Sequence, residues 1–201
     1  MYNIGLIGKA RSGKDSAAAH LVRKFAYTRL AFADPLKEYA LNVNPWIKYD
    51  CPGFFYGETI RLADLIEHVG WERAKDEYPE VRRLLQSIGQ AQREADADYW
   101  VNVMRRSLNS AERWNMPVVV SDVRYLNEAE MLRARGFRLV RISRPSMVIP
   151  LTGTGKISAR YLTEPAAKHD SETELDDFAA DLDIINGGSL EALYALIEAA
   201  V

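Results

Sequence analysis

Short apolar runs alternate along this chain with longer stretches in which apolar residues recur every three or four positions. Residues 2–7 are mostly apolar and close on Gly8, the pattern of a buried strand. The next stretch, 15–25, sets Ala18, Leu21, Val22 and Phe25 on one helical face. A second small apolar run, 30–33, stops at Asp34-Pro35, an N-cap followed by proline at the first helical position, and predicts a helix over 36–43. Residues 44–57 are rich in Pro, Gly and aromatics, have no period, and read as loop. Helices are predicted over 58–69, over 79–95 with Val81, Leu84, Leu85 and Ile88 on one face, and over 99–114. The β-branched run 116–120 reads as a strand closing on Ser121-Asp122, and the helix over 127–135 stops at Gly136. A strand over 137–142 follows, then an aperiodic stretch to residue 168. The chain finishes with a strand over 182–185, the turn Asn186-Gly187-Gly188, and a helix to residue 200 capped by Ser189.

Strands alternating with helices predict an α/β fold in three layers, a parallel sheet with helices on both faces. No repeat and no low-complexity tract interrupts it. The reading is one domain over 1–201, with the two loop-rich stretches as insertions. Hydrophobic residues make up 48% and charged residues 27%, enough for a real core. The formal net charge of −2 argues against a non-specific partner of nucleic-acid polymers. No apolar run approaches the roughly 18 residues that would span a bilayer, and the amino terminus lacks the basic-then-apolar pattern of a signal peptide. The single cysteine, Cys51, excludes an internal disulfide, and with three histidines the chain is too sparse for a Cys/His zinc site. The expectation is a soluble, cytoplasmic protein without a membrane partner; the sequence leaves a homodimer open.

The stretch Gly8-Lys9-Ala10-Arg11-Ser12-Gly13-Lys14-Asp15-Ser16 carries the most information. It matches G-x-x-x-x-G-K, and it lies after a predicted strand and before a predicted helix, where a phosphate loop must lie. Glycines at 8 and 13 permit backbone angles that aim successive N–H groups inward, and the helix start adds a positive dipole end. Lys14 would reach the β- and γ-phosphates of a nucleoside triphosphate. Asp15 stands where the usual pattern has Ser or Thr, which makes it a candidate for metal or acceptor contact. The strand ending in Asp122 has the form of an element that helps hold Mg²⁺ beside such a loop. Arg11 and Arg124 stand beside the proposed phosphate site by position. At this length a small kinase is favoured over a motor, with cations needed around the transferred phosphoryl group.

The variant loop, with Asp15 after Lys14 and Ser16 after that, resembles the phage-type deoxynucleoside monophosphate kinases. The likeness continues, in order, through Ala33-Asp34-Pro35-Leu36-Lys37, Arg82-Arg83-Leu84-Leu85-Gln86-Ser87-Ile88-Gly89 and Tyr99-Trp100-Val101. It includes Ser121-Asp122-Val123-Arg124 with Asn127-Glu128, then Val140-Arg141 with Arg144-Pro145, His169-x-Ser171-Glu172, and Ile185-Asn186-Gly187-Gly188-Ser189-Leu190. Residues 44–78 and 144–168 align with nothing in that pattern.

The resemblance implies a nucleoside monophosphate kinase-like fold with a helical acceptor-binding insertion at about 36–100 and a lid at about 144–170. It implies ATP and Mg²⁺ on the donor side and a deoxynucleoside monophosphate as acceptor. Gly8, Ser12, Gly13, Lys14, Asp15 and Ser16 would then hold the ATP phosphates, with Asp15, Ser16 and Asp122 toward the metal. Arg11, Arg83, Gly89, Trp100, Asp122 and Arg124 would surround the acceptor, and Arg144 would close with the lid over the phosphates. Lys14, Arg11, Asp15 and Arg144 form the expected catalytic set. Asp122 is open between acceptor contact and the metal. Trp100 also reads as a core residue. Rival readings are a kinase of the same fold acting on dephospho-coenzyme A or phosphomevalonate, and a nucleotide-binding regulator.

Overall fold

The computed structural model describes residues 1–49, 58–144 and 174–201. In chain order the elements are β1 (Ile4–Ile7), α1 (Lys14–Phe25), β2 (Thr28–Leu30), α2 (Ala33–Val43), β3 (Trp46–Tyr49), β4 (Glu58–Arg61) and α3 (Leu62–Glu77). They continue with α4 (Pro79–Ala95), α5 (Tyr99–Arg113), β5 (Val118–Val123), α6 (Leu126–Ala134), β6 (Arg138–Ser143), β7 (Leu182–Ile185) and α7 (Leu190–Glu198). The chain forms two compact units, one of Met1–Ala31 with Ser107–Val201 and one of Phe32–Arg106.

The first unit is built on a five-stranded sheet ordered β2-β5-β1-β6-β7, in which every neighbouring pair runs parallel. Ile4 of β1 stands opposite Val119 on one side and Arg138 on the other, so the first strand is also the central one. Ile4, Leu6, Val119, Val140, Ile142 and Ile184 meet Ala17, Ala18 and Leu21 of α1 and Leu193 and Ile197 of α7 in one buried cluster. Gly5, out of phase with Ile4 and Leu6, faces the other way. A Cβ there would stand 2.6 Å from Leu139 Cδ2 and 3.2 Å from Leu132 Cδ1 of α6. Period-2 alternation on a strand buried on both faces thus gives the expected three layers.

Within the sheet, counted in chain order, the strands run 2-3-1-4-5. The connection after β1 leads to one side of the sheet and the connection after its neighbour β6 to the other, and such a switch point opens a crevice at the carboxyl ends of the strands. Those ends are Ile7 in β1, Val123 in β5 and Ser143 in β6.

The second unit packs α2, α3 and α4 around Ala40, Ile47, Leu62, Leu65, Val81 and Leu85. It corrects the sequence reading in two places. Residues 46–49 and 58–61, read as loop and helix start, pair as an antiparallel ribbon with Ile47 opposite Ile60. Four-residue strands are too short to show a period, and cross-strand pairs decide the matter: the Arg61 guanidinium lies 4.2 Å over the Trp46 ring. The helix after them begins at Leu62, and the Asn44 carboxamide oxygen accepts from Ala63 N at 2.9 Å, a cap supplied from a distance. In α2 the helix already starts at Ala33, so Asp34 is a first-turn residue rather than the N-cap, paired with Lys37 at 3.8 Å.

In the first unit, β2 ends at Leu30 rather than continuing to residue 33, and β5 runs through Ser121 and Asp122 to Val123. Pairing of Val123 with Ile7 carries that strand past the polar residues. The expected lid over 144–170 lies outside the described residues except for Arg144.

Candidate active site

The Gly8–Ser16 loop leaves the central strand and enters α1 at Lys14. Gly8 has φ +144, and a Cβ there would stand 2.2 Å from the Ile142 carbonyl oxygen, so both the angle and the space require glycine. Gly13, the residue before α1, has φ +111 and is equally crowded, with Asn186 Nδ2 2.6 Å from the position of a Cβ. Arg11 adopts φ +61 without being glycine, a left-handed conformation that costs about 1–2 kcal/mol. α1 begins with no side-chain cap, so the loop receives the positive end of a helix dipole directly.

Lys14 is buried, and its ammonium donates to the carbonyl oxygens of Gly8 at 2.6 Å and Lys9 at 2.7 Å. The loop is therefore wrapped around its own cation, with two backbone carbonyls turned toward it. The hydroxyl of Ser12, within the loop, and that of Ser121, within β5, are buried with no hydrogen-bond partner among the described residues. Buried polar atoms normally meet a partner, and for Ser12 an anion held in the loop would supply one.

Two cavities flank the loop within the first unit. One, of about 270 Å³, is lined by the residues from Arg11 to Ser16 together with Arg144, Asn186 and Gly188. The other, of about 350 Å³, is lined by Gly8, Lys9, Ser12, Arg124, Arg141 and Arg144. The structure thus brings Gly8, Arg11, Ser12, Gly13, Lys14, Asp15, Ser16, Arg124 and Arg144 to one end of the sheet. Asp15 is exposed and Ser16 half-buried there, and Asp122 is half-buried within β5. Among the described residues no three His, Cys, Asp or Glu side chains gather into a metal cage.

Arg83, Gly89 and Trp100 belong to the second unit. Arg83 is exposed on α4, and its neighbour Arg82 is engaged with Asp76 at 3.3 Å. Trp100 is buried, and its indole N–H donates to the Gly89 carbonyl at 3.2 Å, tying α5 to α4.

Three residues of the first unit lie in the motif blocks but receive no role from the sequence. Arg141 faces the larger cavity, yet its Nη2 donates to the backbone carbonyls of Leu175, at 2.8 Å, and Phe178, which makes it a strut. Glu128 is buried, and its carboxylate accepts from the backbone N–H groups of Arg124 and Tyr125 at 3.0 and 3.3 Å. The spacing of a capping box was its signal. Asn186 donates from its carboxamide to the Ser12 carbonyl at 2.8 Å, a contact across 174 positions that no local pattern announces.

A parallel sheet ordered 2-3-1-4-5, with a glycine-and-lysine loop leaving its central strand, defines an α/β protein of the nucleoside monophosphate kinase-like class. No family model matches the chain. The chain is 33% identical over 179 residues to the uncharacterized protein ORF77 of Ictalurid herpesvirus 1 (strain Auburn), covering 86% of this chain and 69% of that one. It is 26% identical over 219 residues to a protein of Acanthamoeba polyphaga mimivirus named "Putative deoxynucleotide monophosphate kinase", with 98% and 94% of the two chains covered. The chain belongs to one family with ORF77, and its likeness to the mimivirus protein fits the resemblance to deoxynucleoside monophosphate kinases. Among solved structures, TT1252 from Thermus thermophilus aligns with 99% of this chain and 96% of its own at a TM-score of 0.48 and 20% identity. No helix among the described residues is long and apolar enough to cross a membrane.

Proposed function

We propose that this protein transfers the γ-phosphoryl group of ATP to a deoxynucleoside monophosphate, giving the diphosphate. The observation that carries the reading is the Gly8–Ser16 loop, folded around a buried Lys14 at the switch point of a parallel sheet. The mimivirus relative's name supports the choice of acceptor.

The residues present fit the phosphates. The unpartnered Ser12 hydroxyl and the glycine-only positions 8 and 13 outline a concave, donor-rich pocket. Lys14 would exchange its two carbonyl partners for phosphate oxygens, a stronger, charge-assisted pairing. Arg11, Arg124 and Arg144 would add cations where negative charge spreads during transfer. Mg²⁺ would be held from Asp15, Ser16 and Asp122 and the phosphates themselves, since this ion takes few protein ligands beside a nucleotide. It would neutralise charge on the transferred group; the chain's own part is to position both substrates in line and to exclude water. In the second unit, Arg83 is the proposed ligand of the acceptor phosphate.

The test is a coupled assay of ADP release run over the four deoxynucleoside monophosphates and the ribonucleotides, with Lys14→Ala beside the native chain. Acceptor-dependent ADP release, lowered by a factor of order 10²–10⁴ in Lys14→Ala, is expected. ADP release that no nucleotide acceptor stimulates would overturn the reading.

A further inference from the structure

The turn after β7 reaches into the loop. The Asn186 backbone N–H donates to the Ser143 carbonyl at 2.7 Å, one step past the paired residues Ile185 and Ser143, so its main chain is held by the sheet. Three residues on, Ser189 caps α7 through Ala192 N at 3.3 Å, which fixes the far side of the turn. From this rigid base the carboxamide donates to the Ser12 carbonyl at 2.8 Å. A carbonyl oxygen can only accept, so the Asn186 group facing it is the NH₂. Across a trans peptide the carbonyl and the following N–H point in opposite directions. Holding Ser12 C=O toward Asn186 therefore holds Gly13 N–H toward the opposite edge of the same plane. Leu193 Cδ2 of α7 lies 3.1 Å from the position of a Gly13 Cβ, so a side chain at residue 13 would meet the helix as well as the turn.

We infer that Asn186 is a positioning residue for the donor phosphates: it locks the Ser12–Gly13 peptide with its N–H available to an anion and its carbonyl turned away. The inference rests on the proposed function, because only a loop that binds phosphate needs this peptide fixed. A glycine at positive φ has shallow barriers, and a flipped peptide would present a carbonyl oxygen where an anion should sit. The brace acts without touching the nucleoside, and that separates it from a contact with the donor base.

The experiment measures, by calorimetry, the binding of ADP and of inorganic tripolyphosphate to the native chain, Asn186→Ala, Asn186→Asp and Lys14→Ala, together with both Michaelis constants. Asn186→Asp keeps the volume and removes the donor, and it serves if the alanine variant does not fold. Weakening of ADP and tripolyphosphate by a common factor of about ten or more, with the Michaelis constant for the acceptor unchanged, is the expected result. Weakened ADP with unchanged tripolyphosphate would mean that Asn186 reads the nucleoside, and would overturn the inference. Unchanged binding of both, or a fall in melting temperature alone, would overturn it equally. If the native chain binds neither probe, or Lys14→Ala binds both as well as the native chain does, the proposed function itself fails.

Discussion

At Gly8 a side chain would collide with the backbone carbonyl of Ile142, 2.2 Å away, whereas at Gly136, also at positive φ, nothing lies within 4 Å. The two positions separate steric demand from conformational demand. Gly136→Ala should cost only the left-handed strain, about 1 kcal/mol. Gly8→Ala adds displacement of the β6 backbone, so its loss should exceed that of Gly136→Ala by several-fold, read as the difference in melting temperature between the two variants. Equal losses would mean that the loop moves freely away from β6. Residue identity made this loop legible, because glycine, glycine and lysine are the chemistry of the motif itself. The carbonyl partners of Lys14 were not legible, since a sequence says nothing of what a cation does before its ligand arrives. Asp15, exposed beside the loop, has a sharper test. Asp15→Asn keeps the shape and removes the charge: a metal role raises the Mg²⁺ requirement, and an acceptor role raises the Michaelis constant for the monophosphate alone. A variant that changes neither would reduce Asp15 to a first-turn carboxylate favoured by the helix dipole.

Elements were legible where they are long and one-sided. α4 spans Pro79–Ala95, the predicted range, because proline marks its first position and Val81, Leu84, Leu85 and Ile88 repeat at helical spacing along one face. The β3–β4 ribbon was hidden for the opposite reason: each strand offers four residues, and its stabilising pairs, Trp46 with Arg61 and Ile47 with Ile60, join positions that the sequence separates. The turn between β5 and α6 is held by a side chain whose one local signal is the spacing of a capping box. Glu128, 1% exposed, accepts two backbone N–H groups there. Glu128→Ala would remove the charged acceptor of both N–H groups and should cost about 1–3 kcal/mol. Glu128→Gln keeps one acceptor oxygen and should cost clearly less, as urea unfolding of the three proteins would show. In the second unit, Trp100→Phe removes the bond to the Gly89 carbonyl and part of the buried ring, at about 1–3 kcal/mol. A packing role predicts that loss with an unchanged Michaelis constant for the acceptor; a rise in that constant would place the indole against the substrate.

At the scale of the whole molecule, the alternation of strands and helices foretold a parallel sheet, but not which strand would be central. Strand order depends on contacts such as Ile4 with Val119 and with Arg138, across more than a hundred positions. The same long-range closure appears at the end of α1 remote from the loop, where the last helix meets the first. Glu198 Oε1 of α7 accepts from Lys24 Nζ at 2.6 Å and lies 2.8 Å from His20 Nε2, while the His20 ring stacks on Tyr194 at 4.1 Å. The hydrogen bonds from Lys24, and then from His20, hold the Glu198 carboxyl below its ordinary value of 4.5. A carboxyl depressed in the folded state stabilises above its unfolded value, and that contribution is lost as pH falls through the folded one. The native chain should therefore exceed Glu198→Gln in melting temperature near neutrality. The gap should hold down to about pH 5 and narrow steadily below pH 4.5, as the native carboxylate is protonated and comes to resemble the amide. Melting curves of both proteins between pH 7 and pH 3 check this. A gap that stays constant across the range would show that Glu198 joins the two helices by shape alone, with its charge contributing nothing to the closure of the first unit.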